Sequence, residues 1–424
     1  VITVPPRALW RIGSLNFRKN SDENKKGKLG KFESLYTLVD IGSNPGSPWC
    51  VNMLEIIQAM SAMGGTPIPI DYMMSMLTKF TAGYWDGKKG KAFIKSIGKY
   101  CIAWDASFDG DISKLTFRYN TESSHLPLSV IAKYASENPT NREVAMNMNL
   151  YERETRFADE LDPQTEARCP AFYFCGLDDD IFLILMEDLS DYEVGDQAVG
   201  ANLEQTELAI DELAKLHAAF WDKTSELKWV PGIANSYHAD NMRNWSRTGW
   251  DPMVEAFGEF VPENVRGHRD RLLAAVPALQ LERMSGPNTL CHGDFRMPNL
   301  LFGVESHHHQ LAILDWQGPL IAKGMFDVAL LLGQNTKIEV RQKEEKHLLN
   351  RYIAGLKKHG VDGLTFDLVW DDYRRCNLYN WVYAAVVAGT LDPSNEAGRA
   401  WMGQMVARQS SVSEDLEVFN LLPS

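Results

Sequence analysis

The residues best suited to chemistry lie in two short segments of the chain. Residues 291–302 read Cys-His-Gly-Asp-Phe-Arg-Met-Pro-Asn-Leu-Leu-Phe, and residues 311–317 read Leu-Ala-Ile-Leu-Asp-Trp-Gln. Asp294 and Asn299 are five positions apart, and Asp315 ends the next apolar run. In phosphoryl transfer, one carboxylate accepts the proton of the attacking hydroxyl, while an amide oxygen and a second carboxylate hold Mg²⁺ against the nucleotide phosphates. We therefore predict that Asp294 is a catalytic base and that Asn299 and Asp315 are Mg²⁺ ligands.

A β-hairpin is expected to position these three side chains. Residues 300–302 form a short apolar strand, residues 303–310 a polar turn, and residues 311–314 a second apolar strand. Because the two ends of a hairpin are adjacent, Asn299 and Asp315 should face the same side of a bound nucleotide. The simpler interpretation is a surface aspartate and an asparagine in an ordinary turn. A His-Gly-Asp triplet alone favours that interpretation, whereas the complete set of three residues favours the functional one.

The pattern His-Gly-Asp-x-x-x-x-Asn, followed by an apolar strand and Asp-Trp, resembles the aminoglycoside phosphotransferase and choline kinase group. It looks most like the CHK kinase-like (ecdysteroid kinase-like) branch of that group. The spacing from Asp294 to Asn299 equals that in the catalytic loop of protein kinases, and Gly293 stands where those enzymes have Arg. The resemblance covers about residues 105–395. It implies a phosphotransferase that uses ATP and Mg²⁺ as cofactors.

The order of the predicted elements agrees with this resemblance. Apolar and alternating runs predict strands at residues 112–119, 128–133, 171–175 and 181–186, and helices at residues 141–161 and 203–221. The implied fold class is α+β: a bilobal protein-kinase-like fold with a small β-rich N-lobe, one long helix in that lobe, and a larger, mainly helical C-lobe. The expected domains are an N-terminal extension of uncertain structure (1–65), a kinase-like N-lobe with lead-in helices (66–187) and a helical C-lobe with the catalytic loop (188–424).

The segment Val-Ile-Ala-Lys that ends at Lys133 is similar to the kinase strand whose lysine contacts the nucleotide phosphates. The resemblance implies that a glutamate of the following helix pairs with this lysine. The family pattern aromatic-x-x-Glu selects Glu154, because Tyr151 and Glu154 are three positions apart and share a helix face, whereas Glu152 points elsewhere. The alternatives are a solvent-facing lysine at a strand end and a solvated helix acid.

Residues 184–189 resemble the segment that joins the two lobes in this group. By that resemblance, the backbone carbonyl of Glu187 and the backbone amide of Leu189 would bind the adenine edge. Main-chain contacts leave no signature in the side chains, and Asp188 could instead cap the following turn.

The segment Ala106–Asp111 lies where related kinases have a phosphate-covering loop. By resemblance, Ser107, Phe108 and Gly110 are candidates for contacts with the phosphates. The segment has one glycine, whereas protein kinases show G-x-G-x-x-G. It therefore has fewer positions that adopt positive φ without strain.

The sequence defines the phosphate acceptor less well. The helix expected around residues 370–384 is rich in aromatic side chains, and Tyr379 and Trp381 are candidate contacts with the acceptor. Such stripes more often pack in a core, which is the favoured alternative. As a wall of the site, they could bind a sterol-like alcohol, a choline-like ammonium compound or an aminoglycoside-like molecule. Asp327 resembles the aspartate that braces the catalytic loop in this group, and we expect it to be structural.

The composition excludes several classes of protein. The net charge of −13 over 424 residues argues against a general nucleic-acid-binding protein. The six cysteines include no C-x-x-C pair, so we expect neither a zinc site nor a disulfide framework. We therefore expect the protein to be in a reducing compartment, the cytoplasm. No apolar run reaches the ~18 residues of a membrane span. The sequence leaves the oligomeric state open, and His307–His309 are expected to form a solvated turn.

Three functional hypotheses remain from the sequence. The first is a kinase that phosphorylates a hydroxyl of a small molecule, and the intact set of Asp294, Asn299 and Asp315 favours it. The second is a nucleotide-binding pseudokinase that serves as an interaction module, and the glycine-poor phosphate loop favours it. The third is a protein kinase. Two observations argue against it: the sequence has no Ala-Pro-Glu motif after Asp315, and the eleven residues between Asp315 and Asp327 are too few for a long activation segment.

Overall fold

The computed structural model describes seven parts of the chain, namely residues 68–69, 101–109, 112–119, 127–136, 139–178, 181–391 and 396–423. The predicted N-terminal extension (1–65) lies outside these residues, and so do the lead-in helices expected before residue 100 and the candidate phosphate contact Gly110. Within the described residues, no helix combines the length and the apolar character that crossing a membrane requires.

A six-stranded sheet contains the four strands that the sequence predicts. Its strands follow the spatial order β1-β2-β3-β4-β6-β5. They are β1 (Ile68–Pro69), β2 (Cys101–Asp109), β3 (Ile112–Tyr119), β4 (Ser129–Tyr134), β5 (Phe172–Asp178) and β6 (Ile181–Glu187). Along β4, Val130, Ala132 and Tyr134 are buried while the alternate residues are half-buried. This alternation confirms that Ile131 and Lys133 share one face of the strand.

The helix expected over residues 141–161 is interrupted. Helix α1 (Pro139–Asn147) is followed by a break and by helix α2 (Leu150–Arg156), which continues as a wider turn over Phe157–Leu161. The break lies at Asn149, whose φ of +52° places it in the left-handed region. Asparagine tolerates this conformation better than most residues. The hydrophobic periodicity continues across the break, which explains why the sequence pattern did not show it.

The described residues form two compact units. The sheet unit contains the strand residues up to Ala135 together with Gly176–Leu185, and the helical unit contains Ser136–Cys175 and residues 186–423. Helices α1 and α2 cluster with the helical unit, whereas the sequence analysis placed this segment in the N-lobe. The buried ring of Phe157 provides a physical reason, because it stacks on Trp316 of the helical unit with ring centroids 3.7 Å apart.

The helical unit carries the catalytic segment on short strands among longer helices. Its strands form a three-stranded sheet, β10-β9-β7, and a pair, β11-β8. They are β7 (Glu193–Val194), β8 (Thr289–Cys291), β9 (Leu300–Phe302), β10 (Leu311–Ile313) and β11 (Leu320–Ala322). The helices that follow α2 are α3 (Leu203–Phe220), α4 (Tyr237–Phe257), α5 (Glu263–Gly267), α6 (Arg269–Arg283), α7 (Met325–Leu330), α8 (Ile338–Lys358), α9 (Phe366–Thr390) and α10 (Glu396–Asp415).

Polar side chains fix where several of these helices begin. Asn202 and Gln205 form a capping box at the start of α3, in which each side chain bonds the backbone amide of the other residue. The hydroxyls of Ser236 and Thr365 accept backbone N–H groups at the starts of α4 and α9. These caps satisfy N–H groups that lack a partner within the helix.

The aromatic stripe of α9 lies in the core of the helical unit. Tyr379 and Trp381 are both fully buried. The indole N–H of Trp381 donates to Ser413 Oγ at 2.9 Å, and the Tyr379 hydroxyl accepts from Gln280 Nε2 at 3.1 Å. The stripe therefore packs between helices, as the alternative interpretation had it, and we do not carry these two residues into the proposed acceptor site.

Helices α4 and α9 approach each other closely at two glycines. A Cβ atom added to Gly389 would lie 1.9 Å from the carbonyl oxygen of Gly249, and one added to Gly249 would lie 2.2 Å from the carbonyl oxygen of Ala385. Contacts this short leave no room for a side chain. The pair of glycines thus sets the distance between two central helices.

The substitution Gly389→Ala should lower the free energy of unfolding by about 1–3 kcal/mol, because the methyl group overlaps backbone that cannot move without repacking α4. Denaturant unfolding measures this change. The matched control is Gly267→Ala, since nothing lies within 4 Å of a Cβ added there. Equal unfolding free energies for the wild type and Gly389→Ala would contradict the close approach of the helices.

Candidate active site

The catalytic loop begins with a glycine that no other residue can replace without strain. Gly293 follows β8 and adopts a φ of +84°. A Cβ atom at this position would lie 2.0 Å from the carbonyl oxygen of Gly318. Both the left-handed backbone and the lack of space require glycine. The geometry thus explains why glycine occupies the position at which protein kinases have arginine.

The side chain of Asp294 is held by two donors on one of its oxygens. Arg296 Nε donates to Asp294 Oδ2 at 3.0 Å, and Asn299 Nδ2 donates to the same oxygen at 3.1 Å. Asn299 Nδ2 also donates to the backbone carbonyl of Asp294 at 2.8 Å. Among the described residues, no donor contacts Asp294 Oδ1, and the side chain is about one-third exposed at 35%. The partly exposed carboxylate is therefore oriented through Oδ2.

Arg296 was not singled out from the sequence, although it lies two positions after Asp294. Burial by itself lowers the pKa of its guanidinium, but the carboxylates of Asp294 and Asp315 outweigh burial and raise the pKa. The cation therefore lies within the electrostatic reach of both acids. A charged residue inside a catalytic loop is a visible signal in the sequence, but its partners depend on the loop conformation.

The predicted hairpin is confirmed. Leu300 of β9 lies opposite Ile313 of β10, and the backbone amide of Leu314 donates to the carbonyl of Asn299 at 2.8 Å. Asp315 follows directly with a φ of +64°, a left-handed conformation that is uncommon outside glycine. The hairpin therefore brings Asn299 and Asp315 together at one end.

The residues at this end of the hairpin fit a magnesium ion. The side-chain NH₂ group of Asn299 donates to the backbone carbonyl and to Oδ2 of Asp294. The carbonyl oxygen Oδ1 is therefore the side-chain atom of Asn299 that is able to bind a metal. Asp315 supplies a carboxylate, and Gln317 Nε2 donates to its Oδ2 at 3.0 Å. Mg²⁺ commonly binds one or two protein oxygen ligands together with substrate phosphates. The donor set of oxygens therefore matches the predicted cofactor.

His292 connects the loop of Asp294 to the hairpin. Its Nε2 lies 2.9 Å from the carbonyl oxygen of Leu314, and its Nδ1 lies 3.3 Å from the amide nitrogen of Asp294. Because a carbonyl only accepts and an amide N–H only donates, Nε2 carries the proton and Nδ1 accepts. The fully buried, neutral imidazole thus holds the two loops in register.

Asp327 is a buried carboxylate next to the loop that carries Asp294. Its Oδ2 accepts the backbone N–H of His292 at 2.6 Å and lies 3.2 Å from His217 Nε2. Its Oδ1 accepts the backbone N–H of Gly293 at 3.1 Å. His217 Nδ1 in turn lies 2.8 Å from the Tyr352 hydroxyl. The carboxylate therefore fixes the backbone of the loop that carries Asp294.

The remaining predicted residues belong to other segments of the two units. Lys133 is half-buried on β4 in the sheet unit, opposite Ile112, and Glu154 is buried on α2 in the helical unit. Their pairing stays a prediction. Ser107 and Phe108 belong to β2, which extends to Asp109 opposite Ile112, so the expected phosphate-covering loop is strand over these residues.

The segment expected to bind adenine shows side-chain contacts of its own. Arg168 Nη2 donates to both carboxylate oxygens of Glu187, at 2.8 Å to Oε1 and 2.7 Å to Oε2. The side chain of Leu189 is buried. Asp188 Oδ1 accepts the backbone N–H of Ser190 at 3.0 Å, as the capping alternative had it. The proposed backbone contacts with adenine remain predictions.

The substitution Asp327→Asn should lower the free energy of unfolding by about 1–3 kcal/mol, because the introduced NH₂ group must face a donor in a buried site. Denaturant unfolding of the variant measures the effect. Asp362→Asn is a suitable control, since Asp362 is exposed. If both variants unfold at the same denaturant concentration, Asp327 does not brace the loop.

Solved structures with a similar fold include several phosphotransferases. A choline kinase from Cryptosporidium parvum matches with a TM-score of 0.50 and 11% identity, over 83% of this chain and 98% of that chain. An aminoglycoside phosphotransferase from Streptomyces rimosus, in complex with ADP and streptomycin, matches with a TM-score of 0.40 and 16% identity, over 67% of this chain and 92% of that chain. With the sheet and the mainly helical unit, the choline kinase match confirms the α+β, protein-kinase-like fold.

The family comparison covers the site described above. No curated protein matches the chain. The model of the ecdysteroid kinase-like family matches residues 107–362, which is more than half of the chain and includes Asp294, Asn299, Asp315 and Asp327. The chain therefore belongs to the ecdysteroid kinase-like family.

Proposed function

We propose that this protein transfers the γ-phosphate of Mg·ATP to a hydroxyl group of a small molecule. The observation that carries the proposal is the arrangement of Asp294, Asn299 and Asp315 at one end of the β9–β10 hairpin. A partly exposed carboxylate, an amide oxygen and a second carboxylate form the set that phosphoryl transfer needs. The family and the kinase-like fold support the same conclusion.

Asp294 acts as the general base in this proposal. Its Oδ1 accepts the proton of the acceptor hydroxyl as the hydroxyl oxygen forms a bond to the γ-phosphorus. The bond between that phosphorus and the bridging oxygen of ADP breaks, and ADP leaves. Arg296 and Asn299 hold Oδ2, so the base is already oriented before the acceptor binds.

Asn299 and Asp315 would hold Mg²⁺, which neutralises charge on the nucleotide phosphates when it is bound. Lys133 would contact the phosphates and pair with Glu154, and the backbone of Glu187 and Leu189 would bind adenine. These roles follow from the family resemblance of the residues. Intact residues at the base and metal positions favour an active kinase over a pseudokinase that serves as an interaction module.

The segment after Asp315 supports a small acceptor. Eleven residues separate Asp315 from Asp327, and strand β11 (Leu320–Ala322) within them pairs with β8. A protein kinase uses a longer activation segment in this place to dock peptide substrates. The acceptor would be a sterol-like alcohol, a choline-like compound or an aminoglycoside-like compound.

The substitution Asp294→Asn should lower kcat by about 10²–10⁴-fold, the usual effect of removing a general base. ATP binding should stay within a factor of about two, because Asp294 faces the acceptor side of the reaction. ADP release with Mg·ATP across a panel of hydroxylated metabolites first identifies an acceptor, and the variant is then compared on it.

The control for this experiment is Asp251→Asn, which removes an exposed carboxylate that pairs with Arg269. It should retain the wild-type kcat. A wild-type kcat in Asp294→Asn would refute the assignment of the base, and phosphorylation of proteins with no small alcohol accepted would refute the acceptor class.

The substitution Asp315→Ala should weaken the binding of Mg·ATP by about 10–100-fold, as loss of metal ligation typically does. Binding of ATP without Mg²⁺ should change much less. Calorimetric titration with and without Mg²⁺ separates the two effects. An equal loss under both conditions would mean that the variant disturbs the fold and that Asp315 is not a metal ligand.

A further inference from the structure

The catalytic loop contains a short helical turn that has no cap of its own. The turn spans Met297–Asn299, and its last residue is the proposed metal ligand. The first N–H groups of a helical turn have no partner within the turn. The residue in the capping position is Arg296, whose side chain carries donors only and forms no capping bond. The backbone N–H of Met297 therefore needs an acceptor from elsewhere in the chain.

Asn335 supplies that acceptor. Its Oδ1 accepts the backbone N–H of Met297 at 3.1 Å, although the two residues are 38 positions apart in the sequence. Both residues are buried. By contrast, the helices α3, α4 and α9 are capped by side chains at their own starts. The turn that carries Asn299 is thus capped from a distant segment.

A second hydrogen bond fixes the orientation of the Asn335 amide. Its Nδ2 donates to the backbone carbonyl of Leu330 at 3.0 Å. Because a carbonyl oxygen only accepts and a backbone N–H only donates, these two partners are consistent with a single orientation, in which Oδ1 faces Met297. An apolar side chain of the same size would leave the N–H of Met297 buried without a partner, which is unfavourable.

The backbone that presents Asn335 is a π-helical turn. It spans Leu331–Asn335 directly after α7, and the N–H of Thr336 donates to the carbonyl of Leu331, five residues earlier, at 2.9 Å. Such turns are rare and are found frequently at functional sites. The backbone of Asn335 is held as well, because its carbonyl accepts the N–H of Ala201 at 2.8 Å. Both the side chain and the backbone of Asn335 are therefore fixed.

Gly195 restricts the carbonyl end of Met297. A Cβ atom added to Gly195 would lie 2.4 Å from the carbonyl oxygen of Met297. The backbone of Gly195 is itself paired, since its N–H donates to the carbonyl of Leu300 at 2.9 Å. Met297 is therefore held at both ends, by close packing at its carbonyl and by the hydrogen bond from Asn335 at its N–H.

Asn299 transmits this constraint to the groups proposed for the reaction. Its backbone N–H donates to the carbonyl of Arg296 at 2.9 Å, which closes the turn. Its side-chain NH₂ group donates to Asp294, and its Oδ1 is the proposed oxygen ligand of Mg²⁺. A displacement of the turn therefore moves the metal ligand and the support of the base together.

We propose that Asn335 is a positioning residue for phosphoryl transfer, which caps the turn Met297–Asn299 and so holds the side chain of Asn299 in place for Mg²⁺. This inference rests on the proposed function and adds a residue to it. The amide of Asn335 is fully buried, so it acts through the turn and not by contact with a ligand. Loss of a residue that orients a metal ligand typically lowers metal affinity by about 10–100-fold.

The first test measures hydrogen exchange of the Met297 amide, which labelling with ¹⁵N-methionine makes visible by NMR. Asn335→Leu keeps the size of the side chain and removes the acceptor, so the amide should exchange about tenfold faster, the effect of losing one buried hydrogen bond. Asn335→Asp keeps an acceptor oxygen and should restore most of the protection. Unchanged exchange of this amide in folded Asn335→Leu would overturn the proposal.

The matched control for this test is Thr336→Val. It removes a buried hydroxyl that donates to the carbonyl of Leu331 at 3.1 Å, in the same π-helical turn. The control therefore disturbs the turn without removing the acceptor of Met297. Exchange of the Met297 amide should stay at the wild-type rate, and an acceleration equal to that in Asn335→Leu would count against a specific role of Asn335.

The second test measures nucleotide binding by calorimetric titration. Asn335→Leu should weaken the binding of Mg·ATP by about tenfold, and the binding of ATP without Mg²⁺ should stay within a factor of about two. Asn335→Asp should bind Mg·ATP more tightly than Asn335→Leu does, and Thr336→Val should bind both ligands as the wild type does. An equal loss with and without Mg²⁺ in Asn335→Leu would mean a purely structural role and would overturn the proposal.

A measurement on the unsubstituted protein covers the case in which Asn335→Leu does not fold. Because a ligand stabilises the state that it binds, saturating Mg·ATP should slow the exchange of the Met297 amide by about tenfold or more. ATP without Mg²⁺ should slow it much less. Equal exchange rates with the two ligands would refute the coupling between the turn and the metal ligand.

The role of Asn335 and the proposed function are refuted by different results. If Asp315→Ala loses affinity for Mg·ATP and folded Asn335→Leu does not, the proposed function stands and the role of Asn335 is refuted. If the wild type binds Mg·ATP no more tightly than ATP alone and no alcohol supports ADP release, both are refuted.

Discussion

The geometry of the site depends on one buried carboxylate. Asp327 is fully buried and accepts the backbone N–H groups of His292 and Gly293, with His217 Nε2 as its third partner. A buried carboxylate needs such donors, and two of them belong to the loop that carries Asp294. The loop is therefore fixed by the requirement to satisfy this charge, and the left-handed backbone at Gly293 is its consequence.

The imidazole of His292 extends this constraint to the hairpin. It bonds the amide of Asp294 on one side and the carbonyl of Leu314 on the other, one residue before Asp315. Trp316 packs edge-on against His292 and stacks flat on Phe157, which follows α2. Asp294, the β9–β10 hairpin and the helix that carries Glu154 are thereby joined in one packed unit, so each fixes the position of the others.

Two arginines near the loop of Asp294 differ in their partners. Burial lowers the pKa of the Arg296 guanidinium, but the carboxylates of Asp294 and Asp315 outweigh burial and raise it. Among the described residues, Arg153 forms no ion pair, and its guanidinium donates to the carbonyl oxygen of Pro319.

The sequence by itself determined the elements whose signals are local. The hairpin from Leu300 to Ile313, strands β3 and β4, helix α3 and the grouping of Asn299 with Asp315 all follow from short-range patterns of apolar and polar residues. Only the tertiary structure decided the break at Asn149 and the burial of Tyr379 and Trp381. Those properties depend on which surfaces of distant segments pack together, and a pattern of neighbouring residues does not contain that information.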